Sequence, residues 1–209
     1  MKPVELRENF YWSGIMDEKL RVFDIIMHTE FGTTYNSYVM KTAGKTILFE
    51  TAKAAFFEEK RTLLAVSTQE YDLITPKTNY VEEKPEVYWE AFLSSVRDLK
   101  RQYACSKDTE FALAMSAQGE TLFFLDKEGK SLRNAIVWMD NRATEEAEIL
   151  TGVFGNEECY ARTGQVSFEA CWPASKILWV REHEPEIFEK TDKFLLIEDY
   201  FIFRLTGKY

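Results

Sequence analysis

Positive charge, histidine, cysteine and long apolar runs are all scarce in this chain. Of its 209 residues, 26 are Lys or Arg against 35 Asp or Glu, a formal net charge of −9. Nucleic acids and anionic membrane surfaces recruit clustered Lys and Arg, so neither is an expected partner, and solubility is the plain reading of the acidity. Histidine occurs twice, at His28 and His183, which is too few for a histidine-rich metal centre; no metal site is expected. Cys105, Cys159 and Cys171 are widely spaced and form no Cys-x-x-Cys pair, so neither a disulfide framework nor a zinc site is suggested and reduced thiols are expected. No run approaches the ~18 apolar residues of a membrane span, and the opening Met-Lys-Pro-Val-Glu-Leu-Arg-Glu has no signal-peptide core. A cytoplasmic protein without internal repeats or low-complexity tracts is expected.

What is present is a hydrophobic fraction of 45% and a charged fraction of 29%, the composition of an ordinary globular chain. A chain of this length buries a sizeable core without cross-links. Residues 111–142 organise the rest. Three apolar runs at 111–115, 121–125 and 135–138 are each too short for a helix, and turn chemistry separates them at Gln118-Gly119 and at Asp126-Lys-Glu-Gly129. They are expected to be three strands of one sheet. Gln118, Glu120, Asp140, Asn141 and Arg142 then collect at strand ends, where a mostly apolar sheet holds a few directional groups still.

The clearest helix is predicted after Pro85, where Glu86 suits the positive end of the dipole and Trp89, Phe92, Leu93, Val96 and Leu99 recur at helical steps. Further helices are expected over 143–150, 173–182 and 198–205, the last closed by Gly207, with Glu184-Pro185 breaking the second. Residues 194–197 read as a buried strand and 62–67 as another. Residues 80–83 read as the lead into the Pro85 helix. The first 55 residues read as short strands, with a β-hairpin from 35–40 to 46–49.

Met115-Ser-Ala-Gln-Gly-Glu120, Ile136-Val-Trp-Met-Asp-Asn-Arg142, Thr163-Gly-Gln, Cys171-Trp-Pro-Ala-Ser-Lys176 and Leu205-Thr-Gly207 together resemble the N-terminal lobe of the FGGY-type carbohydrate kinases, the group of xylulokinases and glycerol kinases. The resemblance runs over about 56–209 in order and spacing. It implies an α/β chain carrying part of an actin-like, ribonuclease-H-like sugar kinase lobe. It also implies ATP-dependent phosphorylation of a sugar or polyol hydroxyl with Mg²⁺, a xylulose-like substrate being favoured. Glu120 stands at the position of a carboxylate that accepts substrate hydroxyls, and Trp138 at that of an indole walling the sugar pocket; Gln118, Asp140 and Arg142 complete the expected substrate-binding set. For Asp140 and Arg142, a salt bridge orienting the loop and a direct ligand contact are both open. The resemblance puts the proton-abstracting aspartate and the nucleotide pocket beyond Tyr209. Weak sugar binding without turnover is therefore the expectation for this chain, with self-association through exposed sheet edges.

Residues 1–55 resemble something else. Tyr11-Trp12-x-Gly14, Leu20-Arg-x-Phe23-Asp24 and Gly32-Thr-Thr-Tyr-Asn-Ser-Tyr38 are similar to the entry strands of the metallo-β-lactamase-like domain of flavodiiron proteins, with a join expected within 53–59. Glu30-Phe-Gly-Thr-Thr34 imitates the phosphate turn of the kinases, although Glu replaces their Asp. A flavodiiron-type oxidoreductase fragment and a non-catalytic interaction module are the alternative functions.

Overall fold

The computed structural model describes residues 64–104 and 119–209 together with residues 113, 115 and 117; of residues 1–63 it describes only the backbone of the strands. Two compact units result, one of residues 1–68 and 95–117 and the other of 69–94 and 118–209.

The first unit is built from antiparallel pairs. Strands β1 (Val4–Arg7), β2 (Phe10–Trp12), β3 (Ile15–Asp17), β4 (Val22–Phe23), β5 (Met27–His28), β6 (Thr33–Tyr35), β7 (Tyr38–Thr42), β8 (Lys45–Phe49), β9 (Ala54–Phe57) and β10 (Leu63–Ser67) follow in order. β1, β2, β7 and β8 form one four-stranded sheet, while β3 pairs β6, β4 pairs β5 and β9 pairs β10. The expected hairpin is there, with Thr42 opposite Lys45. In the imitation of a phosphate turn, Thr33 and Thr34 belong to β6, and residues 30–32 lie outside the described set, as do Cys105 and the side chain of His28.

In the second unit β11 (Glu82–Glu83), β12 (Leu122–Leu125), β13 (Ala135–Ile136) and β14 (Lys193–Leu196) make an antiparallel sheet in the order β11-β13-β12-β14. Residues 80–83, expected to be a helix lead, thus supply an edge strand. The strand expected over 111–115 falls almost wholly outside the described residues. Helices α1 (Pro85–Gln102), α2 (Thr144–Thr163), α3 (Pro173–His183), α4 (Pro185–Lys190) and α5 (Ile197–Thr206) complete the chain.

All four residues of β12 are buried, so both faces of the strand are covered. Phe123 and Leu125 turn to one cluster with Tyr88, Leu195, Ile197 and Tyr200. Leu122 and Phe124 turn to the other, with Ile136, Ala143, Trp179 and Val180. That division is the two-residue alternation of a pleated strand, and it explains why Leu-Phe-Phe-Leu is apolar throughout. On the first face Phe123 stacks on Tyr200 with ring centroids 4.4 Å apart.

The turn after β12 closes as its residues dictate. Asp126 Oδ1 accepts the backbone N–H groups of Glu128 and Lys130, and Gly129 takes the left-handed φ of 76° that disfavours side chains. Helix α2 runs well past the expected 150. The chain leaves helical geometry only at Gly155 (φ 75°, ψ 159°) and then resumes, so two helices meet at a kink. Helix α4 was not anticipated, because the Pro185 that ends α3 also begins the next helix, where its missing N–H is harmless. Among the described residues no helix is long and apolar enough to cross a membrane.

Candidate functional site

Glu120, Trp138, Asp140 and Arg142 lie where β12 begins and β13 ends. Thr121, fully buried, accepts the backbone N–H of Trp138 on its Oγ1 at 3.1 Å, so the residue after Glu120 is tied directly to the candidate wall residue. Lys176 makes a second tie. Its Nζ donates to the carbonyl oxygens of Glu120 and Val137, both at 3.0 Å, and lies 3.4 Å from that of Trp138. Glu120 and Trp138 themselves are half-buried, which leaves a carboxylate and an indole at one sheet end, the mixture of acceptor and apolar wall that positions a polyol.

Lys176 reaches these carbonyls from the first turns of α3. Pro173 starts that helix, and Lys176, Trp179 and Val180 fall at i, i+3 and i+4, so the lysine lies on the buried face. It is fully buried. Burial lowers its pKa to about 8, against the opposing pull of Asp140, Cys171 and Glu120 and with the help of Arg142. Burial likewise raises the pKa of Cys171, with Lys176 acting the other way.

Asp140 and Arg142 do something different. Asp140 is fully buried and Arg142 nearly so. Asp140 accepts the N–H of Val81 at 2.5 Å and that of Arg142 at 2.9 Å, and it holds the Arg142 guanidinium through Nε and Nη2. The guanidinium lies over the rings of Tyr80 (4.1 Å) and Trp179 (4.9 Å) and reaches Glu82 at 2.8 Å. Burial works against its charge, but the bonds and charges of Asp140 and Glu82 outweigh it and the pKa is raised. Glu82 also takes Arg133 at 2.6 Å, and Arg133 continues to Glu184. Of the two readings left open by sequence, this geometry has the form of the loop-orienting salt bridge. Asn141 is exposed, its N–H bonded to the carbonyl of Asn79. Gln118 lies outside the described residues.

Sequence reasoning marked Gln118, Glu120, Trp138, Asp140 and Arg142; of the groups that tie this sheet end together it passed over Lys176, Thr121, Glu82 and Arg133. A signal for Lys176 existed: it is the one cation on the face shared with Trp179 and Val180. Glu82 gave none, because its partners come from distant segments. A cleft of ≈ 450 Å³ in this unit lies elsewhere, lined by Glu86, Lys130, Ser131, Tyr200, Phe203 and Arg204 among others and by neither Glu120 nor Trp138.

The family model described as "FGGY family of carbohydrate kinases, N-terminal domain" matches residues 50–209. A xylulose kinase of Bacillus subtilis is 34% identical over 156 residues, 74% of this chain and 31% of the relative. The chain thus spans about a third of the length of the curated relatives it matches. Among solved structures, a xyloylose kinase from Brucella ovis superposes with a TM-score of 0.68 at 24% identity, covering 83% of this chain and 32% of that one. Glycerol kinase of Plasmodium falciparum, solved with ADP, gives a TM-score of 0.65 at 26% identity over 74% of this chain and 32% of its own.

Proposed function

Because the chain belongs to the FGGY family of carbohydrate kinases and has the actin-like, ribonuclease-H-like fold of those enzymes, we propose that it supplies the acceptor-binding part of a kinase that phosphorylates a hydroxyl of a sugar or polyol, a xylulose-like ketose being favoured. The observation that carries this reading is the convergence of Glu120 and Trp138 on one sheet end, held there by Lys176 and Thr121.

In this reading the Glu120 carboxylate accepts substrate hydroxyls and the Trp138 indole walls the carbon chain. A hydroxyl left unpaired in such a site costs about 1–3 kcal/mol, which is how a few fixed groups select one polyol. Asp140 and Arg142 act behind them by holding the loop that follows Trp138. Gln118 belongs to the proposed set through its place beside Gly119. The cytoplasm is the compartment proposed.

ATP is the phosphate donor implied by the family, and Mg²⁺ would neutralise its phosphates. The residues described above are assigned to the acceptor on the carboxylate and indole they bring to one sheet end. Phosphoryl transfer relies on positioning and charge neutralisation around the nucleotide, and the role we assign to these residues is acceptor binding alone.

Calorimetric titration of the chain with D-xylulose, D-ribulose and glycerol, alongside a coupled ADP-release assay, tests this. Binding of a ketopentose in preference to glycerol, with no ADP released, is expected. Absence of binding to all three overturns the acceptor assignment, and magnesium-dependent ADP release by the chain overturns the assignment of binding alone.

A further inference from the structure

We propose that Lys176 is a positioning residue of the acceptor site, a buried ammonium that sets the spacing between the segment carrying Glu120 and the segment carrying Trp138. The inference rests on the acceptor reading above and adds the group that gives the site its shape.

The sheet itself does little to fix that spacing. β12 and β13 share a single register pair, Leu122 with Ile136. Past that pair the two segments are joined by side chains: Thr121 Oγ1 takes the N–H of Trp138, and Lys176 gathers the carbonyls of Glu120, Val137 and Trp138. An ammonium has three N–H donors and faces three acceptors; a neutral amine has only two. The set is complete only while Lys176 carries its proton.

Its location is otherwise a poor one for a cation. Lys176 is fully buried and sits near the N-terminus of α3, the positive end of the helix dipole. The charged groups facing it are Asp140 and Glu120, with Cys171 from its own end of α3 and Arg142 in opposition. An apolar side chain of similar volume often serves stability as well as a buried charge does. The role left for the charge is geometric: it spans from α3 to both strand ends that bear the candidate ligand groups.

The test uses the 209-residue chain and Lys176→Met, which keeps the length of the side chain and removes its N–H groups. The backbone ¹³C′ resonances of residues 120, 137 and 138 are followed from pH 7 to 10, and D-xylulose affinity is measured over the same range. In the wild type the three carbonyls should titrate together with one midpoint, and affinity should fall at least fivefold across it. In Lys176→Met the carbonyls should not titrate, and affinity at pH 7 should be at least tenfold weaker and independent of pH.

A folded Lys176→Met that binds as the wild type does, or carbonyls that titrate separately, overturns the proposal. Should the variant fail to fold, the wild-type series decides alone, and affinity unchanged through the carbonyl midpoint overturns it. Wild-type chain that binds no sugar while its carbonyls titrate together removes the positioning role by removing the acceptor reading, whereas sugar binding indifferent to Lys176 removes the positioning role only.

Discussion

Glu82 and Arg142 stand 60 residues apart in sequence and 2.8 Å apart in space. Between them they join the edge strand β11 to the loop after β13, and each is engaged further: Arg142 with Asp140, Glu82 with Arg133 and Asn134. The bonds are directional and largely withdrawn from water, so the loop beyond Trp138 is set by a planar guanidinium fork more than by its own short backbone ladder.

Arg142→Met should destabilise the fold by about 3–5 kcal/mol, since it leaves Asp140 buried without its counter-charge. Urea denaturation checks it. Arg142→Lys should recover only a part, because a point charge cannot reproduce the fork on Asp140 or the stacking on Tyr80.

Glu120→Gln and Trp138→Ala should each weaken ketopentose binding at least tenfold while shifting the urea midpoint little, because both side chains are half-exposed at the sheet end. Titration calorimetry with unfolding curves on the same samples gives both readouts. A loss of binding that tracks a loss of fold would assign these residues to the core.

The pH dependence of stability isolates Lys176. Its pKa is about 8 in the folded chain against an ordinary 10.5, so between those values the unfolded chain holds a proton that the folded chain has released. Stability attributable to this group therefore rises with pH from about 8 to 10.5, relieving a burial penalty of roughly 3 kcal/mol that is fully present below pH 8. In Lys176→Met that rise should be missing. The difference between wild-type and variant unfolding free energies at pH 7, 8.5 and 10 measures it.

Phe123→Ala should lower stability by about 3–5 kcal/mol. The ring is fully buried, stacked on Tyr200 and set edge-on to Tyr88 at 5.9 Å.

Gly129→Ala should destabilise by at least about 1 kcal/mol from its left-handed backbone alone. A Cβ there also runs into the Phe203 ring, so the loss should exceed that seen on Gly119→Ala, where the space is open. Thermal melts of the two variants compare them directly.

What could be read from sequence follows the range of the interactions. The short apolar run of β12 and the helical spacing in α1 depend on neighbours a few residues away, and both were legible. The Asp126 turn was legible for the same reason. The continuation of α2 through Gly155 and the start of α4 at Pro185 were not, because the same residue that ends one helix permits the next. Glu120 and Trp138 were marked through a pattern of residues in order; Lys176 belongs to the same pattern, but its role was not legible because its three partners are carbonyl oxygens that no side-chain motif encodes. Glu82 became an edge strand and an ion-pair hub only through contacts with Arg133 and Arg142.

The order of the sheet also governs when it can be made. β12 lies between β13, which follows it closely, and β14, whose Phe194 and Leu195 pair with Phe124 and Phe123. Until those late residues leave the ribosome, one edge of the most apolar strand in this unit is open, Phe123 lacks the α5 ring of Tyr200 that stacks on it, and Phe124 lacks Phe194. Assembly of this half must await its own tail. A nascent chain stalled short of α5 should recruit holding chaperones, and a chain that has passed it should release them.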